Sequence, residues 1–279
     1  RQEQDEMLIF KNEHGKAHRH LSKMVRSWKN NAGVGMGGLL VDTLTHRFLS
    51  NHEEYDNIGL SDFNKLCRDF FQYLKDEPKK DHYQALGSGQ DVKVKHYFQN
   101  KAKTAYRKAI TAVEEDDEEK KHNAWREIFG RQFPKSEQVV AKNQMFSESQ
   151  SDQEEFIEDK YSIDIKYGLK LDCEIKRDGF RESLLSRILA EGHRISRVRS
   201  LDFIFQTDVP EPYDVKWKAR NVGEEAIRRN CLRGQIIESN KHPNIRHESA
   251  DFRGPHYMEC YIIKNSIVVA RDKIEVPIE

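Results

Sequence analysis

Near the start of the chain, a row of cations precedes a cluster of glycines. The cations recur at spacings of three, four and three residues and so share one face of a predicted helix: Lys16, Arg19, Lys23 and Arg26. The next segment, 33–38, holds four glycines and leads into a second helix-like run at 39–44. Fixed cations, bare backbone and a helix N-terminus each stabilise an anion, so this stretch predicts phosphate binding.

Each of these features also has a plainer interpretation. An apolar stripe lies opposite the cations and consists of Leu21, Met24, Val25 and Trp28. A basic row opposite such a stripe is typical of a solvated helix face. The glycines at 33, 35 and 38 fit the dinucleotide pattern G-x-G-x-x-G, but they follow a helix instead of a strand, which excludes that fold. They indicate either close approach of a ligand or another segment, or a tight turn between helices.

A second cluster of binding-type residues begins at Trp217. The segment 217–223 places an aromatic ring beside guanidinium and amide groups, which can stack a base and bind phosphate. The candidate ligand-binding residues there are Trp217, Arg220, Asn221 and Arg233. Further candidates for the same surface are Arg253, His256 and Tyr257. The alternative places Trp217 in the core and the arginines on a rim.

No metal site is complete in the sequence. Gly87-Ser88 is followed only by Asp91, without the carboxylate pair that a two-metal polymerising site requires. Asp172-Cys173-Glu174 has the spacing of such a pair, but strand alternation accounts for it. His14 and His18 lie one helical turn apart without a third ligand, which favours surface histidines. The sequence therefore predicts that no metal is held by this chain.

Composition sets the class of protein. The 279 residues include 47 basic and 47 acidic side chains, so no global cationic field favours duplex nucleic acid. The four cysteines are widely spaced, which predicts reduced and mostly buried thiols. We expect a cytoplasmic protein, since no membrane span or signal peptide is evident. The chain begins at Arg1 without a methionine, so we treat it as a candidate fragment.

Periodicity divides the chain into three parts. Residues 1–135 have helical spacing throughout, 136–160 form a polar acidic stretch typical of a flexible linker, and 161–279 alternate with period two. The predicted strands include 169–175, 201–206, 213–220, 257–263 and 267–274, with one helix near 184–189. The sequence therefore predicts an α+β protein in which an all-helical lobe precedes a mostly antiparallel, sandwich-like β domain with one helix.

Several motifs together resemble a known family: 23–30, 33–44, 87–90 and 125–133 in the first half, and 215–223, 232–236 and 256–278 in the second. The chain resembles the C-terminal part of a bacterial cGAS/DncV-like nucleotidyltransferase. Its first half is similar to the helical lobe of that family. Its second half is similar to the AGS-C domain, the adenylyl/guanylyl and SMODS C-terminal sensor.

The resemblance implies a role in CBASS antiphage defence, where the enzyme joins nucleoside triphosphates into a cyclic or linear oligonucleotide. It also implies Mg²⁺ and nucleoside triphosphate for the intact enzyme, with the catalytic lobe before Arg1, so that residues 1–279 alone are inactive. Arg26, with Lys23 as alternate, takes the place of the family's triphosphate-binding residue, which is often lysine. Gly37 and Gly38 supply the nearby backbone.

The implied partners are the upstream catalytic lobe, nucleoside triphosphates and a sensed nucleotide or phage-derived ligand, without a membrane. Two alternatives stay open. One is a non-catalytic sensor that binds a cyclic oligonucleotide or nucleic acid through the β domain. The other is a structural interaction module.

Overall fold

The computed structural model describes residues 15–56, 58–59, 62–85, 88–134, 154–176, 183–192, 195, 200–249 and 254–278. Contacts within the chain divide it into two compact units, 1–150 and 151–279. The architecture is α+β, with mainly helices in the first unit and mostly antiparallel sheets in the second.

Five α-helices build the described part of the first unit: α1 (Gly15–Ala32), α2 (Gly38–Leu49), α3 (Phe63–Asp76), α4 (Gln99–Glu114) and α5 (Glu118–Phe129). Their apolar stripes meet in one core, where the Trp28 and Phe71 rings pack edge to face at 5.2 Å. Helix α5 begins after Asp117, whose side chain accepts a hydrogen bond from the Lys120 amide at 2.9 Å.

The prediction of an all-helical first lobe was wrong in one place. A hairpin of two three-residue strands, β1 (His82–Gln84) and β2 (Asp91–Lys93), lies between α3 and α4. Strands this short leave almost no alternation to recognise, although Tyr83 is buried between two exposed neighbours.

The second unit is a sandwich of two sheets. One sheet has the order β3 (Ser162–Ile163), β11 (Ile267–Ile278), β10 (Gly254–Lys264), β7 (Asp214–Asn221) and β8 (Arg233–Ile237). The other has the order β5 (Ser183–Leu184), β4 (Leu169–Lys176), β6 (Ser200–Thr207) and β9 (Ile245–Ser249). Alternate residues of both sheets face inward and share one core, which confirms the period-two interpretation.

Three helices, all short, are described in the second unit: α6 (Ile157–Lys160), α7 (Leu185–Ala190) and α8 (Glu224–Arg228). Helix α7 confirms the predicted helix near 184–189. Helix α8 is a correction to the prediction of one helix, because five residues are too few for a visible helical period.

Residues 154–160 also differ from the predicted flexible linker. Ile157 is fully buried and belongs to a small cluster with Ile165, Tyr261, Ile263 and Val268. The acidic composition of this segment predicted a solvated linker. The segment nevertheless contains a buried apolar residue and carboxylates that bind the sheet.

Candidate ligand-binding sites

Helix α1 presents its cations as predicted. Arg19 and Lys23 are exposed and Arg26 is half-buried, while Leu21, Val25 and Trp28 face the core. The position of His18 was predicted wrongly. Its side chain is buried, with Nε2 3.4 Å from the Thr45 hydroxyl, because it lies on the core side of the helix. His14 lies outside the described residues.

The predicted phosphate-binding residues Arg26 and Gly38 lie close together. Arg26 Nη2 donates to both carboxylate oxygens of Asp42 at 2.7 Å, and Nη1 donates to the Ser22 carbonyl at 3.2 Å. A Cβ added at Gly38 would lie 3.8 Å from Arg26 Nη2. The guanidinium therefore lies over the first turn of α2, and Asp42, one turn into that helix, holds it there.

The glycine cluster has two different roles. Gly33 has a φ of +67° directly after α1, a conformation that glycine adopts freely. A Cβ at Gly35 would lie 2.3 Å from His96 Cδ2, so bare backbone here admits another segment of the chain. Gly37 and Gly38 are exposed at the start of α2, where Gly37 is the N-cap residue and no side chain caps the helix. These last two glycines remain accessible to a ligand.

Trp217 is a correction to the predicted ligand-binding set. Its ring is fully buried between the sheets, near Phe205, and Nε1 donates to the Ser239 hydroxyl at 2.9 Å. Since β7 alternates, Trp217 faces inward and the flanking Lys218 faces outward. The alternative of a core tryptophan is therefore confirmed, and the ring cannot stack a ligand.

Arg220 also points away from the interior of the sandwich. Its Nη1 lies 3.1 Å from Glu154 Oε2 and donates to the Arg233 carbonyl at 3.2 Å. Asn221, the next residue, faces inward. Its Nδ2 donates to the Cys231 carbonyl, and its Oδ1 accepts from His256 Nδ1 at 2.8 Å.

A cavity of about 270 Å³ opens between the sheets at the end of the sandwich where Asn221 lies. Its apolar lining consists of Leu201, Phe203, Ala219, Met258, Val276 and Ile278. The polar lining includes Asn221, Arg229, Arg233, Glu248, Ser249 and His256. Pockets that bind small molecules have volumes from about 300 Å³ upward, and the volume of this cavity is close to that lower limit. Of the residues predicted for this domain, the cavity brings together Asn221, Arg233, His256 and Tyr257, while Arg253 lies outside the described residues.

One ion-pair network dominates the polar side of the cavity. Arg233 Nη1 and Nη2 donate to Glu248 at 2.6 and 3.1 Å, and Arg246 Nε donates to the same carboxylate at 2.7 Å. Burial disfavours the ionised form of Glu248, but the two arginines outweigh it and hold the pKa of this carboxyl below its usual value. Glu248 was not among the predicted residues because it lies 15 residues from Arg233 in the sequence.

The remaining candidates have structural roles. Asp172 Oδ1 accepts from the Ser186 amide at 3.1 Å, so this carboxylate fixes the start of α7. Three of the four cysteines are buried and all four are free, as predicted, while Cys231 borders the cavity. Within the described parts of the chain, no cluster of three His, Cys, Asp or Glu side chains has metal-site geometry. None of the helices described is long and apolar enough to cross a membrane.

Comparison with known proteins assigns the second unit. Residues 151–279 match the Adenylyl/Guanylyl and SMODS C-terminal sensor domain. This confirms the predicted resemblance of the C-terminal half to that sensor domain. A comparison of the chain with curated proteins gave no significant match.

Proposed function

We propose that this chain is the C-terminal portion of a nucleotidyltransferase that makes cyclic or linear oligonucleotide messengers in CBASS antiphage defence. Its second unit senses a ligand in the cavity between the sheets. The observation that carries the proposal is this cavity, inside the matched sensor domain, with an apolar lining and cationic side chains at one side. A heterocyclic ring fits the apolar part, and guanidinium groups such as Arg233 suit a phosphate.

The first unit is proposed as the helical lobe of the nucleotidyltransferase. Arg26, with Lys23 on the same helix face, supplies charge next to the exposed backbone of Gly37 and Gly38. Cations beside a helix N-terminus favour a triphosphate. When Mg²⁺ and a nucleoside triphosphate are bound, the metal-binding carboxylates belong to the upstream catalytic lobe in this proposal.

Thermal-shift and calorimetric titration of the 279-residue chain test the sensor proposal, with ATP, GTP, cyclic di-AMP and cyclic di-GMP as probes. We expect at least one probe to stabilise the second unit. Arg233→Gln should weaken its binding by about tenfold or more, because a charged hydrogen bond is lost. Arg228→Gln is the matched control, since Arg228 is exposed on α8 and does not border the cavity. Equal binding by both variants would contradict the assignment of the cavity.

Incubation with Mg²⁺ and nucleoside triphosphates tests the enzymatic part of the proposal. Residues 1–279 should make no oligonucleotide alone, and synthesis should require the upstream lobe. Robust synthesis by this chain would contradict the assignment of the first unit as one lobe of a two-lobe enzyme.

A further inference from the structure

The segment at the start of the second unit is bound tightly to the outer face of the five-stranded sheet. We call residues 154–158 the docked segment. Lys218 Nζ lies 2.6 Å from Glu154 Oε1 and 4.5 Å from the centre of the Phe156 ring. The Lys218 side chain is only 3 % exposed and that of Glu154 is 13 % exposed. Removing either partner would take the nearest opposite charge from a buried group, so this contact holds the segment strongly.

The other end of the docked segment is held in the same way. Arg271 Nη1 lies 2.9 Å from Glu158 Oε1, and Arg271 Nη2 lies 3.3 Å from Glu259 Oε1. Glu259 also accepts from the Tyr261 hydroxyl at 2.8 Å and lies 3.7 Å from Lys218 Nζ. One connected network of charges therefore fixes both ends of the segment.

The backbone of the docked segment follows the outer edge of β8. The Glu155 amide donates to the Gly234 carbonyl at 3.0 Å, and the Ile236 amide donates to Glu155 Oε2 at 2.7 Å. A Cβ at Gly234 would lie 3.0 Å from Arg220 Nη1 and 3.2 Å from Glu154 Cα. A shift of Gly234 towards these two residues therefore has to move Glu154 or Arg220, because they lie too close to admit even a methyl group freely.

The first residue of the same strand belongs to the cavity. Arg233 borders the cavity and binds Glu248, and its φ of +60° is a left-handed conformation that is unfavourable for a non-glycine residue. Gly234 follows with a φ of +121°. The contact with Glu248 helps to hold this strained start of β8, and the strain favours movement when that contact is broken.

From these contacts we propose that the docked segment is the output of the cavity, which means that ligand binding in the cavity loosens this segment from the sheet. A ligand with an anionic group that competes with Glu248 for Arg233 shifts the start of β8, and this shift loosens residues 154–158. The inference rests on the proposed function in treating the cavity as the ligand site. The docked segment is the first described part of the matched sensor domain, so its release changes the start of that domain.

Hydrogen exchange on the full 279-residue chain tests the coupling without a ligand. Glu248→Gln weakens the contact with Arg233 from inside the cavity. We expect the Glu155 amide to exchange about tenfold faster, the loss corresponding to one charged hydrogen bond, while amides of the β10–β11 pair keep their rates. Glu238→Gln is the matched control, because Glu238 pairs with Lys216 beyond the far end of β8. An unchanged Glu155 rate, or equal acceleration throughout the sandwich, would overturn the proposal.

A reciprocal measurement covers the case in which Glu248→Gln does not fold. Coupling between two sites acts in both directions, so Glu154→Gln, outside the cavity, should change the environment of Cys231 inside it. We expect a severalfold change in the alkylation rate of the Cys231 thiol by iodoacetamide, with Glu238→Gln again as control. An unchanged rate in a folded Glu154→Gln protein would overturn the coupling.

The proposed ligand class and the proposed coupling to the docked segment can be contradicted independently of each other. Coupling without binding of any nucleotide probe would contradict the proposed ligand class and leave the output segment supported. Nucleotide binding without coupling would support the cavity as the ligand site and contradict the docked segment as its output.

Discussion

Arg26 donates two hydrogen bonds from one nitrogen to Asp42, and this pair joins helices α1 and α2 at the exposed glycines. The Nη2 atom lies 2.7 Å from each carboxylate oxygen, and the Arg26 side chain keeps 38 % exposure. Asp42 therefore positions the guanidinium beside the start of α2. It also competes with an incoming anion for the same nitrogen.

Replacing Arg26 by glutamine should weaken triphosphate binding by the intact enzyme by roughly 1 to 3 kcal/mol, because a charged hydrogen bond to phosphate is lost. Calorimetric titration with a non-hydrolysable triphosphate measures this change. Arg19→Gln is the matched control, since Arg19 is exposed on the same helix, about two turns earlier. Unchanged affinity in Arg26→Gln would remove this residue from the site.

Asp42→Asn should lower the free energy of unfolding by only about 0.5 to 1 kcal/mol, because the pair is partly exposed and solvent screens it. Urea unfolding of the 279-residue chain gives this value. The same variant frees Arg26 from a competing carboxylate, so triphosphate affinity of the intact enzyme should rise. A fall in affinity would show that positioning by Asp42 matters more than competition.

Gly35→Ala should lower the free energy of unfolding by about 1 to 3 kcal/mol, as expected for overpacking. The new Cβ would lie 2.3 Å from His96 Cδ2, so the imidazole and its loop must move. Gly37→Ala is the control, because no atom lies within 4 Å of its added Cβ and its φ is −70°. Thermal unfolding of both variants measures the difference, and equal melting temperatures would contradict the close packing of His96.

Trp217→Ala should lower the free energy of unfolding by about 3 to 5 kcal/mol, because a fully buried ring is removed from between the sheets. Ser239→Ala keeps the ring but removes the acceptor for Nε1 and the hydrogen bond from the Ser239 hydroxyl to the Pro243 carbonyl, and it should cost about 1 to 2 kcal/mol. Denaturant unfolding separates the two effects. A stable Trp217→Ala protein that loses only ligand binding would restore the role first assigned to Trp217.

The ion pairs of Glu248 should give the second unit a pH-dependent stability. Arg233 and Arg246 lower the pKa of Glu248 despite its burial, so the folded state favours the ionised form. This contribution is present above the usual glutamate pKa of about 4.3 and is lost as the pH falls through the lowered native value. The stability difference between the wild type and Glu248→Gln should therefore shrink below about pH 4. A difference that stays constant down to about pH 2 would contradict it.

Helices and strands could be predicted from the sequence where they are long and have one buried face. The apolar spacing of α1 and the alternation of β4 predicted their elements because each faces a core on one side only. The three-residue hairpin strands and the five-residue α8 were missed, since a period cannot be recognised in so few residues. Glu154 was assigned to a linker because the segment 136–160 is rich in acidic residues. Its carboxylate nevertheless binds a buried lysine.

The candidate sites were predictable only in part. Arg26 and Gly38 are close in sequence across one turn, and the structure brings them together. Arg233 on β8 meets Glu248 on β9 because the two sheets pack together, a contact that local spacing does not contain.

The sequence by itself determined the division into helical and β-rich parts, the resemblance of the second half to a sensor domain, and the residue types suited to phosphate. Tertiary structure decided which of those side chains are accessible. Trp217 and Asn221 both face inward from β7, yet Trp217 is sealed between the sheets and Asn221 borders the cavity. The physical reason is that alternation fixes only the face of a strand. Whether that face meets packed side chains or open space depends on the opposite sheet.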